Sequence, residues 1–130
     1  MNKKLLTLIL TSIILSSCSI IRERNTERLY KEASEYDYIL NFTEEEAEIQ
    51  KKLNYCNAST MAQFFYVTDD DTYTSLANKI LYYKMSAPEK FDEIVTAKNN
   101  CYKTYNITEK DIEKVNKKLT ARMEYLKNRE

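Results

Sequence analysis

Three thiols and one run of carboxylates are the groups in this 130-residue sequence whose types and spacing invite chemistry. Cys18, Cys56 and Cys101 can be acylated, bridged or bound to a soft metal, and Asp69-Asp70-Asp71 can hold a cation or face an acceptor of negative charge. The rest of the alphabet narrows these options. There is no His and no Gly, so Ser-His-Asp and Cys-His nucleophiles, His-ligated zinc, phosphate-cradling loops and nucleophile elbows are all excluded. The acids and bases balance at 20 each, which removes any global electrostatic case for nucleic acid. Read as an EF-hand loop from Asp69, the sixth and twelfth positions hold Thr74 and Ile80 where Gly and Glu are required. Capping of a helix is the simpler role for the three acids, with a partner-facing acidic loop as the functional alternative. Glu and Asp are abundant, but their pattern places them on solvated helix faces. The expectation is a non-enzyme without cofactor, metal or small-molecule substrate.

Cys18 is placed by what precedes it. Lys3 and Lys4 open the chain, and an apolar run from Leu5 to Leu15 follows, interrupted by Thr7, Thr11 and Ser12. The run has the length of a signal-peptide core and is too short to span ~30 Å of hydrocarbon. It ends in Leu15-Ser16-Ser17-Cys18, which resembles the lipobox of bacterial lipoproteins. That resemblance implies cleavage before Cys18, a diacylglyceryl group on its thiol and an acyl group on its new amine. It divides the chain into a signal peptide (1–17), a lipidated Cys with a short tether (18–25) and a domain (26–130). At about 0.8 kcal/mol per buried CH₂, several acyl chains anchor stably where one does not. Ser19, not Asp, follows the Cys, which by resemblance to the enterobacterial sorting rule implies the outer membrane, facing the periplasm. The seventeen residues before Cys18 hold two lysines and no acid, so the remaining 113 residues carry a net charge of −2.

An exported chain reaches a compartment that favours disulfides. Cys56 and Cys101 lie 45 positions apart with no CxxC spacing and no further soft ligand. A structural bridge is therefore expected over a redox or metal pair, and closing a loop of that length stabilises by about 4 kcal/mol on chain-entropy grounds.

The elements that must position these groups read as five helices, with no alternating strand. The first is expected over Thr26–Leu40, with Leu29, Ala33, Tyr36 and Leu40 on one face. Thr43 and Glu46 form a capping box for the second, whose stripe is Ile49, Leu53, Cys56, Thr60 and Phe64. Thr68–Thr72 connects to a third helix carrying Leu76, Ile80 and Tyr83, with Asp69 as its expected cap. Ser86 and Glu89, with Pro88 in the first turn, open a fourth bearing Phe91, Ile94 and Cys101. Thr108 and Asp111 open a fifth, with Ile112, Val115, Leu119, Met123 and Leu126 as its stripe. The expected fold is a small all-α single-domain bundle, with Cys56 and Cys101 stapling helices two and four.

Three features remain. Charge is uneven, at −3 over 18–52, −2 over 53–100 and +3 over 101–130; the basic end suits an acidic partner or intrahelical pairing. The sequons at Asn41, Asn57 and Asn106 have no glycosylation role in a bacterial chain. Tyr occurs eleven times, and Tyr combines a large rigid surface with a polar tip that suits interfaces. Tyr36-x-Tyr38 and Tyr82-Tyr83 cannot share a helix face, so Tyr38 and Tyr82 are expected at the surface.

The stretch Cys101-Tyr-Lys-Thr-Tyr-Asn-Ile-Thr-Glu-Lys-Asp-Ile-Glu-Lys-Val115 resembles the helical periplasmic immunity proteins against type VI secretion amidases. Those place a disulfide Cys late in a helix, then an aromatic, a polar break and a final helix. The resemblance implies a protein-binding inhibitor whose loop plugs an enzyme groove, with Asp69–Asp71 as the matching loop here. Size, anchor and disulfide also resemble the pilotins of type II secretion, which hold a secretin helix in a bundle groove. The expectation is an envelope lipoprotein that binds another protein, as an immunity protein or alternatively as an assembly factor, with Asp69, Asp70, Asp71, Tyr38 and Tyr82 as candidate contacts.

Overall fold

The computed structural model describes the backbone of residues 3–35 and 37–128, and the side chains of these apart from residues 3–18, Ile39, Arg122, Tyr125 and Leu126. The described residues form an all-α fold: α1 (Lys3–Ser34), a short 3-10 turn (Asp37–Leu40), α2 (Glu44–Phe64), α3 (Tyr73–Ser86), α4 (Pro88–Thr104) and α5 (Glu109–Lys127). Among them there is no strand.

The centre of the bundle is α2, which packs against α1, α4 and α5. Its apolar residues serve two clusters. Ala58 and Met61 meet Leu29 of α1 and Leu76 of α3; Ile49 and Leu53 meet Val115 of α5, with Phe42, Tyr102 and Ile107 against them. Cys56, fully buried between the clusters, bonds to Cys101 of α4 with Cα atoms 5.6 Å apart. The expected five-helix bundle and its staple are thus present. One residue beyond the bridge on each helix, the Tyr102 hydroxyl donates to Asn57 Oδ1 at 3.1 Å. Burial, with Tyr73 close by, pushes the Tyr102 phenol up to about 12, so it stays a neutral donor.

Two of the connections use one local pattern. Asn41 and Asn106 adopt left-handed backbone, with φ of 52° and 56°; Asn is the non-Gly residue best suited to it. After each comes an apolar residue that packs on the second cluster, Phe42 or Ile107, and then a capping Thr. At the end of α4 the N–H of Ile107 donates to Tyr102 O (2.9 Å) and that of Asn106 to Lys103 O (3.1 Å), a Schellman closure made without glycine. Thr43 and Glu46 exchange their reciprocal bonds at 3.0 and 3.2 Å, and Thr108 and Asp111 do the same at 3.0 and 3.2 Å. Both Asn positions belong to sequons whose hydroxyls, Thr43 and Thr108, are the expected caps.

Several boundaries differ from the sequence reading. The first helix does not run from Thr26 to Leu40: it extends back to Lys3 and stops at Ser34. Ser19–Asn25, expected as an extended tether, is helical because no Gly or Pro interrupts it; Ser19 to Arg24 are exposed on this arm. Helix one ends early because the Ser34 hydroxyl and the Asp37 carboxylate both accept from the buried Asn54 amide, at 3.2 and 2.8 Å. Tyr36, expected on its buried face, lies outside the described residues. The cap of α3 is Thr72, paired with Ser75, and not Asp69. Ser86 does not cap α4: its hydroxyl donates back to Tyr82 O at 3.0 Å, and Ala87 stands at the cap without a side-chain bond. One residue separates the two helices, so Ser86 is still the last residue of α3. Met123, expected in the α5 stripe, is exposed, because the described apolar contacts of α5 end at Leu119.

Three lysines of α5 divide between two uses. Lys117 pairs within the helix with Glu113 at 3.8 Å. Lys114 and Lys118 instead cross to the acidic first turn of α2, reaching Glu45 at 3.3 Å and Glu46 at 2.7 Å. The basic end and the acidic Thr43–Glu46 corner are therefore partners within one domain.

Candidate partner-binding surface

The α2–α3 connection is built from both ends. Phe65 closes α2 in extended backbone (φ −118°, ψ 144°), and extended residues alternate sides. Phe65 and Val67 accordingly pack on the first core cluster, and Tyr66 between them points outward at 93% exposure. The chain then turns over Thr68–Asp71. The Asp71 N–H donates to Thr68 O at 3.1 Å, and Asp71 Oδ2 accepts from the Thr68 N–H (2.8 Å) and hydroxyl (3.1 Å). The Thr68 N–H, foremost, holds the Asp71 carboxyl below its ordinary value, with the Thr68 hydroxyl and Lys79 adding to this.

Distant residues clamp this turn onto α1. The Arg28 guanidinium donates to Asp71 O (2.9 Å) and to Thr68 O (3.0 Å), holding the first and last carbonyls of the turn with one planar fork. Glu32, one turn later on α1, accepts from the Tyr73 N–H at 3.0 Å. Asp69 and Asp70 are left at the tip, both exposed. The result is a pre-ordered loop carrying an aromatic ring and two solvent-facing acids. Ordering it in advance removes part of the entropic cost of docking.

The sequence-derived site residues fall on three surfaces. Asp69 and Asp70 stand on the loop, with Asp71 turned inward to organise it. Tyr82 lies on the outer face of α3 beside the exposed Leu81 and Met85. Leu81 also stands at the rim of a largely apolar hollow of about 330 Å³ between α2, α3 and α4, walled by Met61, Ile80 and Phe91. Tyr38, 80% exposed, belongs to another surface, beside the N-terminal half of α2. Cys18 lies in the part of α1 whose side chains are outside the described residues. Among the described residues, no group of three or more His, Cys, Asp or Glu gathers for a metal ion, and no helix is long and apolar enough to cross a membrane.

Two contributors were missed in the sequence. Tyr66 carries a readable signal, the in-out-in alternation of Phe65-Tyr66-Val67 leading out of a helix. Arg28 carries none, since a single Arg 40 positions upstream does not announce which carbonyls it will hold. Compared with known protein families, characterised proteins and solved structures, the chain matches none.

Proposed function

We propose that this chain is a lipid-anchored protein of the bacterial envelope that acts by binding another protein, as an immunity-type inhibitor of an envelope-directed toxin. The observation that carries this reading is the clamped Thr68–Asp71 turn, which offers Tyr66, Asp69 and Asp70 on a rigid support. A protruding, pre-ordered loop with an aromatic anchor suits insertion into a concave enzyme site. The lipobox at Leu15–Cys18 supports the address, with lipid on Cys18 and the domain facing the periplasm from the outer membrane. In this reading the helical arm Ser19–Asn25 holds the domain roughly 10 Å from the lipidated residue, at about 1.5 Å per residue. The domain is a ligand and performs no catalysis.

One observation favours a second reading, a pilotin-like or structural lipoprotein that assists assembly of an envelope complex. The hollow between α2, α3 and α4, with exposed Leu81 at its rim, has the apolar character that an amphipathic helix needs. A pull-down with the domain from Ser19 onward separates the two. Recovery of a cell-wall hydrolase whose activity is lost in the complex supports the inhibitor and sinks the assembly role. Recovery of a secretin-type subunit does the reverse.

A further inference from the structure

A second hollow, of about 300 Å³, opens between α1, the 3-10 turn and the start of α2, and its walls include Tyr30, Asp37, Tyr38, Phe42 and Gln50. Three of these are aromatic rings, whose faces attract cations; Lys118 Nζ already lies 5.8 Å over the Phe42 ring, which leaves Tyr30 and Tyr38. Tyr30 is held in place edge-on by Tyr55 at 6.3 Å, which in turn meets Tyr105 at 5.6 Å. Tyr38 forms the exposed outer wall.

The carboxylate in this hollow has no counter-charge among the described side chains. Asp37 is half-buried, accepts from Asn54 at 2.8 Å and has no cationic partner among the described residues. Two cations border the hollow without pairing to Asp37: Lys51, one of its walls, pairs with Glu48 at 3.5 Å on the exposed side, and Lys118 pairs with Glu46 at 2.7 Å and donates to Asn41 O at 3.0 Å. Burial raises the Asp37 carboxyl, against the opposing effect of the Asn54 bond.

The amides behind Asp37 show the same shortage of positive charge and donors. Asn54 gives its NH₂ to Asp37, so its carbonyl faces Gln50, whose NH₂ donates to it at 2.9 Å. Gln50 Oε1 is then buried with no donor among the described residues. Turning both amides over would set the Asn54 carbonyl against the Asp37 carboxylate, so the orphan acceptor is a consequence of that charge. It is closed off from solvent and reports the deficit; Asp37 is the anion that lines the hollow.

We propose that this hollow binds an alkylammonium group, carried by a free amine or by a lysine side chain, with its methylenes among Tyr30, Tyr38 and Phe42 and its N–H donors on Asp37. A single carboxylate suits a monovalent ammonium, whereas a calcium ion takes six to eight oxygen ligands. The site stands apart from the Thr68–Asp71 loop and does not depend on the function assigned to it.

The test is an NMR titration of the ¹⁵N-labelled full-length chain in detergent, using butylammonium, N-acetyl-lysine methylamide and the uncharged N-acetyl-norleucine methylamide. Saturable shifts at Asp37 and Tyr38 with the charged probes, and none with the norleucine probe, are expected. Tighter binding of butylammonium identifies a small free amine as the source; tighter binding of the lysine probe identifies a partner side chain. Asp37→Asn keeps an acceptor for Asn54 and is expected to lower affinity about tenfold or more, with helicity by circular dichroism unchanged. Absence of saturable shifts, equal shifts with norleucine, or unchanged affinity in a folded Asp37→Asn chain overturns the proposal.

Discussion

At the residue scale, asparagine does the work of the missing glycine. Asn41 and Asn106 supply left-handed backbone, and the apolar-Thr pair after each anchors and caps the next helix. Asn106→Ala places a Cβ-bearing residue without Asn's local bonding there and is expected to cost about 1 kcal/mol, read from thermal unfolding, whereas Asn106→Gly keeps the stability close to wild type. Glu46 is the most strongly perturbed described carboxyl: the Lys118 bond, then the bonds from Thr43, lower it from 4.5 to about 2. Its folded-state value lies below its ordinary one, so its stabilising effect is complete above pH 4.5 and is lost as pH falls toward 2. The gap in unfolding temperature between wild type and Glu46→Gln should therefore hold steady at neutral pH and close in that acid window. The capping boxes at Thr43 and Thr108 were legible because both partners lie within four residues. The cap of α3 was not, because Thr68, Asp69, Asp71 and Thr72 all carry suitable oxygens, and the choice among them is tied to Arg28 and Glu32 on α1.

At the element scale, apolar periodicity was enough to place α2 and to put Cys56 on its buried stripe, which made the bridge to α4 readable. It was not enough for the end of α1 or for where the buried stripe of α5 stops. Ser34 ends α1 through a buried amide of α2, and α5 continues past Leu119 with Met123 in solvent; both depend on what lies alongside. The staple joins the one helix that serves both clusters to α4. Cys56→Ala with Cys101→Ala is expected to lower unfolding stability by about 4 kcal/mol on loop-closure grounds. Chemical denaturation of the oxidised wild type beside the double variant measures this. A difference near zero would mean that the unfolded chain already keeps residues 56 and 101 close without the bridge.

At the scale of the whole molecule, the proposed address rests on the lipobox-like Leu15–Cys18, while the bundle gives a rigid body and the Thr68–Asp71 turn a presented edge. Of this candidate site the acids were visible in the sequence. The clamp that makes a loop of them was not, since Arg28 meets them only through the α1–α2–α3 packing. Arg28→Ala should leave the bundle folded while raising amide exchange at Asp71 and Tyr73, and weaken partner binding by about tenfold through lost pre-organisation. The most direct measurement is site-specific photo-crosslinking in the living cell, with the photoreactive residue at Tyr66 and, as control, at the exposed Lys103 on α4. A discrete protein adduct from position 66 and none from position 103 is the predicted result. No adduct from position 66, or the same adducts from both positions, would contradict it.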